Sequence, residues 1–338
     1  MTMPGVAPNG LSGWSSRTVG RLFGWLVVAL ALGFLGHQLW LGNPLALAGA
    51  HAGELALAVA AGTLVYALAG LALAEAWRQL LGPGPAAAYP RQHRILYGRT
   101  QIAKYLPGNV FHLVGRQVLG RRLGHAQGAL ALASLAEAVS LLLVAGALAL
   151  PLVWSGIARL PAMPPAWLVV VAAGLITAGV AAALAGLGGR IRDRAGVTPR
   201  IGERSRRWAP RVLRAGLLHT LFFVVAGLVL WAVAAAIQDP ARPALGPIVA
   251  ISTMAAAWWA GFVAPGSSAG VGVREAVLVL ALAPHVGSDG AVLVALALRL
   301  VTTLGDLLFF GFCLLAPRGG RGQVGGDADR PLRQSILQ

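Results

Sequence analysis

The chain has 338 residues, of which 57% are hydrophobic and only 11% are Asp, Glu, Lys or Arg. This composition excludes an ordinary soluble globular protein, which needs far more charge to solvate its surface. The formal net charge of +16 could indicate nucleic-acid binding, but the arginines cluster between apolar runs, as membrane topology signals do. The single cysteine, Cys313, excludes an internal disulfide and a metal site built on cysteines.

Six apolar windows are long enough to cross a bilayer, for which a helix needs about 20 residues. The first follows Arg17 and Arg21 and could instead be a signal peptide cleaved after the Ala-Gly-Ala at 48–50, but its length favours a transmembrane helix. We therefore predict an all-α, polytopic integral membrane protein, with residues 1–20 as an N-terminal segment and 317–338 as a disordered tail. The windows run from about 22–41, 55–77, 129–153, 166–188, 215–237 and 291–316.

The arginines predict the orientation of these helices. They concentrate between the second and third windows and in a predicted loop at 190–214, whereas the loops on the other side carry only Arg159 and Arg242. The positive-inside rule then places both termini in the cytoplasm. At the end of the second window, we predict that Glu75, Trp77 and Arg78 anchor the helix at the interface.

Two further segments, 89–127 and 247–287, are too apolar for solvated loops and too interrupted for ordinary helices. We predict that both are re-entrant hairpins that enter from opposite faces, with broken tips near membrane depth. The second half, about 166–316, then repeats the first, about 22–153, upside down. Inverted repeats with broken helices indicate a transporter whose substrate site lies at the repeat interface.

The first tip carries a helix break flanked by two cations. Pro107 removes a backbone donor, Gly108 permits a positive φ, and Asn109 can cap a new helix. A helix start presents free N–H groups to an anion. Lys104, the only lysine, and Arg116 would each cost about 2.5–3.5 kcal/mol at the bilayer centre unless paired or hydrated. We expect them to bind a lipid phosphate in a cavity; alternatively, they extend to cytoplasmic phosphates as topology anchors.

The second tip is a flexible turn that leads into Arg274 and Glu275. It lacks the Gly-Lys pair of a nucleotide-binding loop and the third glycine of a dinucleotide-binding motif. Arg274 could contact an anion, while Glu275 could neutralise it or cap the helix start. A purely structural ion pair is the alternative. The small or helix-breaking positions of this tip are Pro265, Gly266, Gly270 and Gly272.

Four ionisable residues lie well inside the apolar windows, where charges usually serve function. Glu137 and Arg299 occupy comparable places in the two proposed repeats, so we expect them to face one cavity. Asp306 follows Arg299 by seven residues and shares its helix face. For His219 we expect a hydrogen-bonded packing role.

The two tips together carry a resemblance to a known family. The motifs are Lys104-Tyr-Leu-Pro107-Gly108 followed by Gly115-Arg116, and Pro265-Gly266 followed by Gly270-Val-Gly272-Val-Arg274-Glu275. They resemble the transmembrane region of the lysylphosphatidylglycerol synthase family over about 20–316. Glu137 matches a family acidic position and Arg299 a family arginine. The resemblance implies a flippase-like protein that moves phospholipids or lipid-linked intermediates between leaflets.

Two departures limit what the resemblance implies. Ala138 stands where the family often has Arg, and Ser267-Ser268 where many relatives have more glycine. We also expect no synthase activity, because the residues after Pro317 could not fold into the family's aminoacyl-transferase domain.

The sequence thus predicts a lipid flippase or transporter for an anionic phospholipid or a polyprenyl-phosphate-type intermediate. Lys104, Arg116, Arg274 and Arg299 would bind the headgroup. The alternative is a non-transporting partner that holds a lipid for a separate glycosyltransferase or lipid synthase. A membrane-embedded enzyme would have to use Glu137 or Asp306, and no HExxH motif, cysteine pair or nucleophile elbow supports catalysis. We expect no cofactor, metal or nucleic acid.

Overall fold

A computed structural model describes residues 44–82, 89–105, 111–157, 201–264 and 270–316, with isolated positions 33 and 37. Within these ranges the chain forms helices and no strands, which confirms the all-α prediction for the described part. A 3-10 turn, Ile102–Tyr105, follows the third helix. The helices are α1 Pro44–Ala50, α2 Ala52–Leu81, α3 Pro90–Gln101, α4 Phe111–Arg122, α5 Gln127–Ile157, α6 Ile201–Ala235, α7 Pro247–Val263 and α8 Val273–Leu315.

Four stretches of the described helices are long and apolar enough to cross a membrane: Ala52–Leu81, Gln127–Leu152, Pro210–Ala235 and Val273–Leu315. They confirm four of the predicted windows, those at 55–77, 129–153, 215–237 and 291–316. The windows at 22–41 and 166–188 lie outside the described residues, as do the predicted segments 1–20 and 317–338.

The basic segment before α6 differs from its prediction. Residues 201–214 are helical and continue directly into the apolar part of α6, so the prediction of a loop over 190–214 is wrong for these residues. Arginine has a high intrinsic helix propensity. A helix that already crosses the bilayer can therefore extend through an arginine-rich stretch into water.

Each interrupted segment contains helices on both sides of its tip. The first break separates α3 and its 3-10 turn from α4, and the second separates α7 from α8. Gly270 and Gly272 have φ of 73° and 84°, a conformation that disfavours any side chain. The tip residues 106–110 and 265–269 lie outside the described residues. A further left-handed residue, Gly287 with φ 74°, breaks α8 into two arms.

Small residues allow close approach between the long helices. A Cβ added to Gly62 of α2 would lie 2.9 Å from Val229 Cγ1 of α6, and one added to Gly305 of α8 would lie 2.8 Å from Tyr66 Cδ1 of α2. Such small-residue contacts are typical of helix packing in membranes, where van der Waals contact drives association. Large apolar side chains face outward instead, as a lipid surface requires: Leu57, Leu64, Leu68, Leu217, Leu280 and Leu315 are exposed.

Arg99 joins α3 to the end of α8. Its Nε donates a hydrogen bond to the Cys313 carbonyl oxygen at 2.9 Å, and its Nη2 donates to the Leu314 carbonyl at 3.3 Å. The last carbonyls of a helix have no partner within the helix. The guanidinium therefore caps α8 and holds α3 against it, while Gly98 leaves room for the Cys313 side chain.

Candidate functional site

The seven charged residues predicted for the site fall into two groups. The Arg116 cluster consists of Trp77, Tyr97, Gln101, Arg116 and Glu137, supplied by α2, α3, α4 and α5. The Arg274 cluster consists of Lys104, Tyr105, Arg274, Glu275, Arg299 and Asp306, supplied by the 3-10 turn after α3 and by α8.

The Arg116 cluster surrounds a single guanidinium with matching partners. Arg116 is 1% exposed and forms an ion pair with Glu137 through its Nη1. Its Nη2 donates to Gln101 Oε1 at 2.9 Å, and its Cζ lies 3.9 Å from the Tyr97 ring centroid. Tyr97 also donates its hydroxyl to the other oxygen of Glu137, at 2.8 Å. One carboxylate thus neutralises one cation. Among the described residues, Arg116 Nε and Trp77 Nε1 are the buried polar atoms of this cluster that lack a hydrogen-bond partner.

Trp77 belongs to this cluster, which contradicts its predicted role as an interface anchor. It is fully buried, and its ring lies 5.6 Å from Arg116 Cζ and 6.1 Å from the Tyr97 ring. A cation next to an aromatic face is attracted to it most strongly away from water. The residues beside Trp77 do form an ion pair, between Arg78 and Glu75, and Arg94 of α3 approaches the same carboxylate at 3.9 Å.

In the Arg274 cluster, Asp306 joins α8 to the 3-10 turn. Its Oδ2 lies 2.6 Å from Lys104 Nζ and accepts a hydrogen bond from the Tyr105 hydroxyl at 2.6 Å. The tight turn places consecutive side chains Lys104 and Tyr105 so that both reach the same carboxylate. The lone lysine is therefore neutralised by a buried acid.

Glu275, on the first arm of α8, pairs with Arg299 on the second arm, beyond Gly287, and does not pair with its neighbour Arg274. Its Oε1 lies 3.3 Å from Arg299 Nη1, while its Oε2 accepts the Gly272 backbone N–H at 2.7 Å. The second contact satisfies a donor at the start of α8, in the manner of a capping box. The predicted capping role of Glu275 is thus confirmed, and its cationic partner is Arg299.

Arg274 is held by shape and by an aromatic ring. Its Cζ lies 5.8 Å from the Trp258 ring centroid. A Cβ at Gly261 or at Gly270 would lie 2.6 or 2.5 Å from Arg274 side-chain atoms, so both glycines leave space for the guanidinium. Glu275 lies close enough to attract this charge, yet the ion pairs of the described residues leave Arg274 without a carboxylate, and its buried Nε has no hydrogen-bond partner there.

The three cations of the Arg274 cluster act on one another. The charges of Arg274 and Arg299 both reach Lys104, and Arg299 Cζ lies 6.0 Å from the Tyr105 ring centroid. Against these three cations stand two carboxylates, Glu275 and Asp306. Since like charges at short range repel strongly in a medium of low polarity, this excess of positive charge favours an anion at the cluster.

The structure brings together five of the predicted site residues: Lys104, Arg274, Glu275, Arg299 and Asp306. It places Arg116 and Glu137 in a separate ion pair. Glu137 and Arg299, predicted to face one cavity, each contact a different partner. The predicted residues Pro107, Gly108, Asn109, Pro265 and Gly266 lie outside the described residues.

Sequence reasoning missed the site contacts of the four uncharged members of the two clusters, Trp77, Tyr97, Gln101 and Tyr105. The available signal was weak. Tyr105 adjoins Lys104 in the motif of the first tip. Tyr97 and Gln101 are four residues apart, which puts them on one face of α3.

Two histidine contacts lie outside these clusters. His93 Nε2 and His125 Nε2 are 2.6 Å apart, and His93 Nδ1 lies 2.7 Å from the Tyr89 carbonyl oxygen. Burial lowers the pKa of both rings, and Arg78 lowers that of His93 further. His219 contacts Ser140 Oγ through Nδ1 at 2.8 Å, which agrees with its predicted packing role.

Comparison with known proteins gives no family assignment: no family model and no curated protein matches the sequence. Among the described residues, no group of three or more His, Cys, Asp or Glu side chains could hold a metal ion. Function must therefore be inferred from the two clusters themselves.

Proposed function

We propose that the protein is a lipid flippase or transporter that moves an anionic phospholipid or a polyprenyl-phosphate-type lipid between leaflets. The observation that carries this proposal is the Arg274 cluster, which among the described residues holds more cations than carboxylates, at the 3-10 turn after α3 and on the apolar helix α8. An unpaired charge there is costly unless a ligand or water compensates it. A lipid phosphate supplies the missing negative charge, while its acyl chains stay against the exposed leucines.

The Arg274 cluster is also better suited to a ligand than the Arg116 cluster. Arg116 already has a carboxylate, an amide oxygen and two aromatic faces, so a phosphate would have to displace internal partners. Within the described ranges, Arg274 has one aromatic face and no ion pair with a carboxylate. We therefore assign headgroup binding to Lys104, Arg274 and Arg299, and a supporting role to Arg116 and Glu137.

The inverted repeat and the cytoplasmic termini in a bacterial inner membrane belong to this proposal. One observation supports the repeat. In each half, the helix after the break forms an ion pair with the next long apolar stretch: Arg116 with Glu137, and Glu275 with Arg299. The polarity of the pair is reversed between halves. Alternating access would then arise from movement of one half against the other.

Reconstitution of the purified chain into liposomes tests transport directly. Fluorescent phosphatidylglycerol and a fluorescent polyprenyl phosphate report exchange between leaflets. We expect faster exchange of at least one of these lipids than in protein-free liposomes, and loss of that acceleration in Arg274→Gln. The matched control is Arg242→Gln, whose exposed side chain pairs with Asp239. Unchanged exchange for both lipids would contradict the proposal.

A second candidate function is that of a membrane partner which presents a lipid to a separate glycosyltransferase or synthase. The observation that favours it is the basic helical start of α6 at 201–214, which suits an anionic-lipid or protein surface. The variant in which glutamine replaces the arginines of this stretch should then fail to restore the phenotype of cells that lack the protein, while Arg274→Gln restores it. The transport proposal expects the opposite pattern.

A further inference from the structure

We infer that the Arg274 cluster selects headgroups with a single negative charge, as in a phosphodiester, over phosphate monoesters, which carry nearly two. This inference rests on the proposed function, since it specifies the ligand of the same site. It follows from the charge balance of the cluster and from the burial of its two carboxylates.

The charge balance of the Arg274 cluster leaves one positive charge without a matching carboxylate. Asp306 neutralises Lys104 and Glu275 neutralises Arg299, while Arg274 is left over. The tip segments that follow Tyr105 and precede Gly270 add no charge, because neither 106–110 nor 265–269 contains an ionisable side chain. Among the described residues of the cluster, the net charge is therefore three minus two, or +1.

Both carboxylates are held in place and cannot easily move away from a ligand. The side chains of Asp306 and Glu275 are 8% and 7% exposed. Asp306 also accepts the Tyr105 hydroxyl, and Glu275 accepts the Gly272 backbone N–H. These contacts fix the position of each carboxylate, so a ligand meets both of them next to the cations.

A phosphodiester carries one negative charge and would bring the cluster to neutrality. A phosphate monoester has a second pKa near 6 and carries about −1.5 to −2 at pH 7. Its second charge would face Glu275 and Asp306 with no cation left to match it. Because unmatched charge is strongly disfavoured away from water, the cluster should prefer the diester.

A matched pair of probes tests this preference. Farnesyl phosphate is a monoester, and its methyl ester differs only by the loss of one ionisation. Binding to the full chain in nanodiscs is measured by isothermal titration calorimetry at pH 7.5. We expect the methyl ester to bind about tenfold more tightly, a modest difference for one unmatched charge.

A third probe separates the two sources of a phosphodiester. Dihexanoyl phosphatidylglycerol carries the same single charge on a glycerolipid. Tighter binding of this probe than of methyl farnesyl phosphate assigns the site to phospholipids, and the reverse assigns it to isoprenoid-linked diesters; either result supports the charge selection if both probes exceed farnesyl phosphate.

The wild-type protein provides a test that needs no variant. Lowering the pH from 7.5 to 5.5 protonates the monoester, so its affinity should rise toward that of the methyl ester, whose own affinity should stay constant. His112, on which Lys104 and Arg116 act, stays neutral over this range, because burial lowers its pKa to about 3. A farnesyl phosphate affinity that is independent of pH overturns the inference.

Substitution of Asp306, one of the two carboxylates of the cluster, should remove or reverse the preference for the diester. Asp306→Asn raises the cluster to +2, and we expect farnesyl phosphate to bind at least as tightly as its methyl ester. Glu54→Gln is the control, because it removes a carboxylate whose side chain is 71% exposed, and it should keep the wild-type ratio. Melting temperatures of both variants establish that they are folded.

The outcomes separate this inference from the proposed function. Equal or tighter binding of farnesyl phosphate to the wild-type protein at pH 7.5 overturns the charge selection but leaves leaflet exchange intact. Tighter binding of the diesters without leaflet exchange supports the selection and contradicts transport. Failure of all three probes to bind overturns both the selection and the assignment of the site.

Discussion

The two charged clusters contain similar residue types but differ in charge balance. Arg116 and Glu137 form a closed pair, one cation to one carboxylate, inside a shell of aromatic rings and an amide. The Arg274 cluster has three cations for two carboxylates. We therefore base the proposed headgroup site on the uncompensated charge of the Arg274 cluster and not on the burial of charge alone.

The largest effect should come from breaking the closed pair. Glu137→Ala leaves Arg116 buried and unpaired, and we expect the free energy of unfolding to fall by about 3–5 kcal/mol, as for other buried ion pairs that lose one partner. Chemical unfolding in mixed micelles measures this change. The double variant Arg116→Met/Glu137→Leu removes both charges and should recover most of the loss. Equal destabilisation by the single and double variants would contradict a closed pair.

A much smaller stability effect is expected in the Arg274 cluster. Arg274→Gln removes a contact with Trp258, which for a cation and an aromatic ring contributes about 0.5–2 kcal/mol, but it also relieves repulsion from Lys104 and Arg299. We expect the free energy of unfolding to change by less than about 1 kcal/mol, while leaflet exchange is lost. A loss as large as that of Glu137→Ala would make Arg274 structural and remove the contrast between the clusters.

The smallest effect should come from the buried contact that carries no charge, between His93 and His125. Their lowered pKa values mean that the folded protein holds both rings neutral. This stabilisation is present above the unfolded pKa of about 6.5 and is lost as the pH falls toward the folded pKa. Lowering the pH from 7.5 to 5.5 should therefore decrease the melting temperature.

The histidine pair has a matched control. His93→Gln removes one titrating ring and should flatten the dependence of melting temperature on pH in this range. Since other groups of the protein also titrate, the difference between wild type and variant is the informative quantity. If the melting temperature depended on pH equally in the two proteins, the histidine pair would not contribute to the pH dependence of stability.

Helix positions were predictable because apolar length is a local property of the sequence. The windows at 55–77 and 215–237 correspond to α2 and α6, and Gly270 and Gly272 mark the second break through their positive φ. The helical start of α6 was not anticipated, because charge was read as a loop signal although arginine also favours helix.

The partners within the site could not be predicted in the same way. Glu275 follows Arg274 directly, yet successive residues on a helix point about 100° apart. Glu275 instead contacts Arg299, which lies beyond Gly287 on the other arm of α8. Lys104 and Asp306 are joined across 202 positions of the chain, a proximity that periodicity does not specify. Trp77 was misplaced for a related reason: its sequence position beside Arg78 resembles an interface, but its ring lies in the core.

The hydrogen bonds from Arg99 to the end of α8 affect which helices can move relative to one another. α3 and its turn are fastened to α8 at two heights, by Lys104 to Asp306 and by Arg99 to Leu314, about 12 Å apart at 1.5 Å per residue. Two contacts at different positions along α8 prevent α3 from rotating on it, whereas a single contact would permit rotation. α3, although it belongs to the first half of the chain, should therefore move as one unit with the last helix of the second half.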